Sequence, residues 1–549
     1  MMSGPPASSA RFLFPGFGIV IIGILVALAT DVALSQLTPA KFAFLLGGFV
    51  LLIPTIVMEH PKAYWLFLLV LSVPFDISKW LSAWLVEPQT LVDLYGQPAS
   101  GTTAIEVYVT DVVLVAMVLP WLARVAVRQE RVYFPAIGYL FVFYLAWALL
   151  VSVINAESFY LSLFELCRQS LYFLSFVYLV NNLTTRLQLR TAVWAMFLGF
   201  IIGAGTVIVF FELGYGTDAS IFSGLRDQSS TSSQVGKKKS PDSQVLTLQN
   251  ENQGRGLGKG GAVTSGIKRS QGMFRHPAIP AGLCGLILPI VLAYLIAARN
   301  NGHRIIFFFV LLVGITSLVL TFSRAGAIGL AAGILVFLAV GGWSGLIPRR
   351  VLVPSVVALA LVITVSIPAL LIYFGARPET FYMRLNLFEA ALQGYSQHPI
   401  LGVGLNNATG AMKAGRQEMK DMGIQMPPTE SADSLYLVVL TEVGPLGFIL
   451  FFLFIGRLVM IALRAMRAPG LEAMREAGVL KPLLVGIVGG LGSLAIQNLA
   501  DDTLGGHAIS ATLWLFAALI IAAARYIQTE TRSSSLTSSV GGHAVSIDR

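Results

Sequence analysis

Residues 305–322 read IIFFFVLLVGITSLVLTF, residues 323–326 read SRAG, and residues 327–342 read AIGLAAGILVFLAVGG. Each apolar run approaches the roughly 20 residues that a helix needs to cross the hydrocarbon core of a bilayer. The short segment between the runs leaves room only for a tight turn. The pattern therefore predicts two antiparallel transmembrane helices with an arginine, Arg324, at their junction.

Similar apolar runs recur along the whole chain of 549 residues, which is 56% hydrophobic and only 12% charged and has a mean hydropathy of +0.76. A soluble domain carries about 25% charged residues, so this composition excludes a soluble enzyme. The fold class predicted is all-α, a polytopic transmembrane bundle of 12–14 helices. The predicted spans are 14–34, 41–58, 62–77, 105–123, 133–154, 160–180, 189–213, 277–298, 304–322, 324–342, 351–374, 434–460, 482–500 and 508–526.

Basic residues collect in alternate connectors of these spans. The five groups are Arg124 with Arg128 and Arg131, Arg186 with Arg190, Arg299 with Arg304, Arg349 with Arg350, and Arg457 with Arg464, Arg467, Arg475 and Lys481. With fourteen spans all five groups fall on one side, which the positive-inside rule makes cytoplasmic. The net charge of +9 is explained in this way rather than by nucleic acid. We expect a multi-pass protein of the bacterial inner membrane with both termini in the cytoplasm.

The spans divide the chain into six predicted regions. Residues 215–276 form an extracytoplasmic loop whose central part, 229–266, is rich in Ser, Gln, Gly and Lys and is predicted to be a disordered insertion. The other regions are transmembrane helices at 1–214, 277–374 and 434–526, a folded extracytoplasmic loop at 375–433 with helical spacing in 383–394, and a disordered cytoplasmic tail at 527–549.

Charged residues at membrane depth are costly and usually line a cavity or meet a partner. Arg324 is flanked by Ser323, Ala325 and Gly326, which are too small to satisfy five guanidinium donors, and we expect it to bind an anion. Structural roles are favoured for Glu165 with Arg168 (a self-neutralising pair), for Glu442 (a helix interface) and for Asp111 (a helix cap). Arg269, Arg275 and Arg384 lie in the outer loops, where a basic pocket suits a lipid phosphate or diphosphate.

Four motifs carry a resemblance to a known family. They are Arg269-Ser-Gln-Gly-Met-Phe-Arg-His-Pro277, Ser323-Arg-Ala-Gly326, Arg384 followed by His398-Pro-Ile-Leu-Gly-Val-Gly404, and Asp433-Ser-Leu-Tyr436 continuing to Glu442 and Gly447. Together, in this order, they resemble the O-antigen ligase and polymerase family of bacterial envelope glycosyltransferases. The motifs cover about 265–450, and the layout of spans extends the likeness over most of the chain.

The resemblance implies a metal-independent glycosyltransferase without a cofactor. Its donor is a glycan on a polyprenyl diphosphate, and its acceptor is a hydroxyl of another glycan or of a lipid; nucleic acid is not a partner, whereas membrane lipid and envelope polysaccharide assembly proteins are. The implied catalytic residues are Asp433, Arg324 and Arg269, and the implied substrate-binding residues are Arg384, Arg275, Tyr436 and His398. Arginines would take the place of the divalent cation that many glycosyltransferases use.

The chain departs from the family at Asp433-Ser434, where the family usually has His-Asn. A carboxylate can replace histidine as a proton acceptor, and His276 and His398 are alternative candidates for that role. Two other functions stay open: a protein O-oligosaccharyltransferase that uses the same donor, and a polysaccharide transporter or flippase. A transporter predicts internal repeats with broken helices in both halves, and none is evident. A structural subunit of an envelope complex would leave the arginines unexplained.

Overall fold

The computed structural model of the chain describes residues 61–76, 78–80, 106–128, 130–213, 269–375, 378–413, 417, 421, 432–468, 471 and 477–544. The described residues from Leu66 onward belong to one compact unit. The predicted spans 14–34 and 41–58 and nearly all of the predicted loop 215–276 lie outside the described residues.

The described chain is built almost entirely from helices. These are α1 (Pro61–Ser72), α2 (Val109–Ala126), α3 (Ala136–Asn155), α4 (Phe159–Asn182), α5 (Arg186–Glu212), α6 (Ala278–Ala297), α7 (Asn301–Thr321), α8 (Arg324–Trp343), α9 (Arg349–Gly375), α10 (Pro378–Gln397), α11 (Ala408–Ala411), α12 (Leu435–Met466), α13 (Ala477–Gln497) and α14 (His507–Ala544). Ten of them are long and apolar enough to cross a membrane, and each of the ten coincides with a predicted span. The prediction of a polytopic helical bundle is confirmed.

Three spans form the interior of the bundle. In α6, α13 and α14 most residues of the membrane-crossing window are buried (83%, 72% and 94%), whereas the other spans expose large apolar side chains around the outside. Small residues let these helices approach closely. A Cβ at Gly489 of α13 would lie 2.9 Å from Phe337 and 3.0 Å from Pro289, and one at Gly333 of α8 would lie 2.8 Å from the Gly489 carbonyl oxygen. Close backbone contact through small residues is a general way to hold membrane helices together.

Helix α12 is broken at Gly444, which has φ +65° and ψ −176°, and Pro445 follows. Proline has no N–H, so the carbonyl group of Thr441 loses its helical partner. The backbone amides of Val403 and Gly404 replace it by donating to the carbonyl oxygens of Thr441 and Glu442, each at 2.9 Å. The loop that follows α10 is thereby joined to the middle of a membrane span.

Two local features differ from the predictions. Residues 78–80 and 106–108 pair as a short antiparallel ribbon, with Ser78 opposite Tyr108, which three-residue strands are too short to reveal by alternation. Within the region predicted to be a disordered tail, 527–549, α14 continues to Ala544. A helix extends from an ordered span by one hydrogen bond per residue, and this tail contains no proline to stop it.

Candidate functional site

The guanidinium of Arg384 lies between two carboxylates. Its Nη2 donates to Oδ1 of Asp501 at 3.3 Å, and its Nε lies 3.7 Å from Oδ2 of Asp433. The Arg384 side chain remains 38% exposed, while Asp433 and Asp501 are 28% and 13% exposed. The expected proximity of Arg384 and Asp433 is therefore present, and Asp501 is an additional partner.

Three chain segments position these side chains. Helix α10 packs through Leu387, Ala390 and Ala391 onto Met412 and Ala432 in a small buried cluster, which places Arg384 over the start of α12.

Asp433 has a left-handed backbone conformation (φ +49°) immediately before Ser434, the residue that precedes α12. The amide of Leu435 donates to the carbonyl of Asn498 at 3.1 Å, and the Asn498 side chain accepts from Thr503 at 2.9 Å. The turn that carries Asp433 and the α13–α14 connector that carries Asp501 are thus tied to each other.

Arg269 contacts the turn between α7 and α8, which is followed by Arg324. Nε of Arg269 donates to the carbonyl oxygen of Thr321 at 3.1 Å, and the amide of Ser270 donates to Leu320 at 3.1 Å. Ser323 caps α8 by accepting from Gly326, which leaves the half-buried Arg324 as the first residue of that helix. The N-terminus of a helix attracts anions, so both arginines lie where a negatively charged group would be stabilised.

The carboxylates of the site are unusually basic. Desolvation raises the pKa of Asp501 to about 6, the guanidinium of Arg384 opposes the rise, and the charge of Asp433 adds to it. Desolvation likewise raises the pKa of Asp433 against the lowering effect of Arg384. For Asp502, desolvation and the neighbouring Asp433 raise the pKa to about 6. Asp501 and Asp502 can therefore take up a proton near pH 6, and the raised pKa of Asp433 makes it a better proton acceptor than an ordinary aspartate, which suits a general base.

His276 is a weaker candidate for the base. Desolvation, together with the charges of Arg269 and Arg384, lowers its pKa to about 4, so the ring is neutral at pH 7. Its Nδ1 accepts from the amide of Ala278 at 3.2 Å, which puts the ring proton on Nε2. In that form the exposed ring nitrogen donates a hydrogen bond and does not accept a proton.

Arg275 belongs to a second, neighbouring cluster. Its amide donates to Oδ2 of Asp76 at 3.3 Å, its Nε lies 3.9 Å from the same oxygen, and its guanidinium lies 5.6 Å from the centre of the Tyr108 ring. The other face of that cluster contains Arg168, 4.4 Å from the same ring, and His507, stacked on it at 3.7 Å.

The remaining predicted residues have structural contacts. The Tyr436 hydroxyl donates to the carbonyl of Ala495 at 2.8 Å, and the exposed His398 directly follows α10. Asp111 accepts from the amide of Tyr108 at 3.0 Å, as expected of a helix cap, and its carboxylate lies 3.8 Å from Arg168.

Glu442 faces the backbone amides of Asn406 and Ala408, beside the break in α12. Glu165 accepts from the amide group of Gln169 at 3.1 Å.

Asp501 and Asp502 were missed by the sequence analysis. The available signal was a pair of adjacent acidic residues directly after an apolar run, at the same end of the bundle as Asp433 and Arg324. Among the described residues, no group of three or more His, Cys, Asp or Glu side chains is arranged to hold a metal ion.

The match to known proteins covers the region in which these residues lie. Residues 307–452 match the family described as O-Antigen ligase. The matched region contains Arg324, Arg384, Asp433 and the break in α12, whereas Arg269 and Asp501 lie outside it. No curated protein matches the chain.

Proposed function

We propose that this membrane protein, which carries an O-antigen ligase family region at residues 307–452, transfers a glycan from a polyprenyl diphosphate to a hydroxyl group on the outer face of the bacterial inner membrane. The acceptor is another lipid-linked glycan in a polymerase or a lipid core in a ligase. The orientation rests on the five groups of arginines at the opposite end of the bundle.

One observation carries this proposal: arginines and basic carboxylates from distant parts of the chain are gathered at one end of the bundle. Arg384 contacts Asp433 and Asp501, and Arg269 is close enough to lower the pKa of Asp501. Arg269 also donates a hydrogen bond to Thr321, in the turn that precedes Arg324. Glycan transfer requires stabilisation of an anionic leaving group and a proton acceptor. The arginines suit the first requirement and the carboxylates suit the second.

In the proposed reaction the acceptor hydroxyl oxygen attacks the anomeric carbon of the donor glycan. The bond between that carbon and the diphosphate oxygen breaks, and its electron pair leaves with the diphosphate. Arg269 and Arg324 bind the diphosphate and stabilise the negative charge that develops on it. Asp433 accepts the proton of the attacking hydroxyl, and the remaining donors of Arg384 hold the donor.

The arginine roles are tested in a strain that lacks the chromosomal gene, complemented with Arg269→Gln, Arg324→Gln or Arg457→Gln. Arg457 is the matched control, since it is an exposed arginine of α12 near the other end of the bundle. We expect the surface polysaccharide to be lost with the first two variants at wild-type protein levels and retained with the third. Normal amount and chain length in Arg269→Gln and Arg324→Gln would refute the diphosphate site.

The same strain distinguishes polymerase from ligase. Single repeats that remain on a lipid anchor in the deletion strain indicate a missing polymerase. Long chains that remain unattached indicate a missing ligase. Normal surface glycan in the deletion strain would contradict both assignments.

A further inference from the structure

The α13–α14 connector supplies a carboxylate that has no role in the proposed reaction. Asp501 is 13% exposed and bonds Arg384 across 117 positions of the chain. Its contact with the guanidinium, at 3.3 Å, is shorter than the 3.7 Å contact of Asp433. A guanidinium offers five donors in one plane, so one arginine can serve two carboxylates and its position depends on both.

We propose that Asp501 is a positioning residue that holds Arg384 away from full engagement with Asp433, so that Asp433 keeps an oxygen free for the acceptor hydroxyl. The inference rests on the proposed function, because it gives Asp433 the role of base. It applies to this chain in particular, since the position has an aspartate, which an arginine can engage through two oxygens.

The charges around Asp433 and Asp501 show why the position of Arg384 depends on both carboxylates. Asp433 is influenced by Arg384 from α10 and by Asp501 and Asp502 from the α13–α14 connector. Asp501 is influenced by Arg384, Asp433, Asp502 and Arg269, and by a hydrogen bond from Gln497. Arg384 is the cation that contacts both carboxylates, so loss of either partner leaves it to the other.

Removing the charge of Asp501 has a defined consequence. Arg384 closes on Asp433 as a two-oxygen ion pair, and Asp433 also loses a negative neighbour. Both changes stabilise the charged form of Asp433 and lower its pKa. A base must be deprotonated to act, so the acid limb of the pH–rate profile moves to lower pH. The rate falls because Asp433 becomes a weaker base and because Arg384 occupies the oxygen that would accept the proton.

The test is glycan transfer by the purified full-length protein in proteoliposomes, with lipid-linked glycan extracted from the deletion strain as donor. For Asp501→Asn we expect kcat to fall on the order of 10- to 100-fold and the acid limb to move down by about one pH unit, while Asp501→Glu stays near wild type. For Arg384→Gln the limb moves up, because Asp433 loses its cation. In the double variant Asp501→Asn with Arg384→Gln, the acid limb moves back up relative to Asp501→Asn alone, because no guanidinium is left to pair with Asp433.

Asp502→Asn is the charge-matched control. It removes a neighbouring negative charge and leaves the contact between Arg384 and Asp501 in place, so the acid limb moves less than in Asp501→Asn. The positioning role would be overturned by equal shifts in Asp501→Asn and Asp502→Asn, or by limbs that move in the same direction in Asp501→Asn and Arg384→Gln. It would also be overturned by a double variant whose acid limb stays as low as that of Asp501→Asn. Absence of transfer by the wild-type protein would instead refute the proposed function. Should Asp501→Asn fail to accumulate, Asp501→Ser takes its place with the same expected downward shift of the acid limb.

Discussion

Asp433 is subject to opposing influences, since desolvation raises its pKa and Arg384 lowers it. Asp501 has the same two opposing contributions, and its pKa lies near 6. Below that pH Asp501 is neutral and no longer draws Arg384 from Asp433. A proton on Asp501 therefore has the same effect on the site as its replacement by asparagine.

This residue-scale reasoning gives a prediction for the wild-type protein. Transfer falls as pH drops through about 6, well above the ordinary range of an aspartate, because Asp501 gains a proton and Arg384 then closes on Asp433. The measurement is the initial rate of transfer in proteoliposomes from pH 4.5 to 8.5, with the internal and external pH matched. It gives the acid limb of the pH–rate profile. A rate that is constant down to about pH 4 would mean that the base is an ordinary, solvated carboxylate.

At the scale of residues, the sequence assigned Arg384 and Asp433 to one site and missed Asp501. Motif order placed the first two at one end of the bundle. Asp501 belongs to no recognised motif, and its approach to Arg384 depends on the hydrogen bonds between the α12 start and the α13–α14 connector. Such tertiary contacts leave no periodic signal in the sequence. Arg275 was grouped with the other arginines for the same reason, although it pairs with Asp76.

At the scale of elements, the break in α12 determines where the loop after α10 is attached. The sequence predicted one span at 434–460, and the observed helix runs from Leu435 to Met466 through the break. Pro445 was visible in the sequence. The attachment of the loop at the break could not be predicted from it, because it depends on hydrogen bonds from Val403 and Gly404. Gly402, with φ +87°, lies against the break so closely that a Cβ there would be 2.6 Å from the amide nitrogen of Gly444.

Gly444→Ala should therefore destabilise the protein. The conformation at Gly444 is accessible essentially only to glycine, and an added Cβ would lie 2.8 Å from the carbonyl carbon of Leu401. We expect a loss of about 1–3 kcal/mol in the free energy of unfolding. The measurement is reversible unfolding in detergent by circular dichroism.

Gly456→Ala is the control for that measurement, because it lies in the same helix and an added Cβ meets no atom within 4 Å. The control should be neutral or slightly stabilising, since alanine favours a helix over glycine. Equal stability of the two variants would show that the break does not require glycine.

At the scale of the whole molecule, charge separates the two ends of the bundle. The candidate site lies at the end of the bundle where α7 ends, at Thr321, and α12 begins, at Leu435. The arginine groups lie at the other end. One arginine of these groups, Arg467, lies 3.8 Å from the centre of the Trp343 ring, and a further arginine, Arg525, lies 3.9 Å from that of Tyr133. This distribution is typical of a protein oriented with its basic end in the cytoplasm.

The orientation can be measured by cysteine labelling in a Cys167→Ser background. Ser396 and Arg350 are exposed residues at opposite ends of the bundle. A membrane-impermeant maleimide should label Ser396→Cys in cells whose outer membrane alone is permeabilised, and Arg350→Cys only after the inner membrane is opened. The reverse pattern would place the candidate site in the cytoplasm.

The convergence of cationic and acidic side chains at this end of the bundle is meaningful only if the purified protein transfers a glycan. The most direct measurement is product formed from the extracted lipid-linked donor by wild type, Asp433→Asn and Asp433→His in proteoliposomes. The account predicts transfer by wild type, a loss of about 100-fold or more in Asp433→Asn, and substantial activity in Asp433→His, because histidine can also accept a proton. Equal rates in wild type and Asp433→Asn, or no transfer by any of the three, would contradict it.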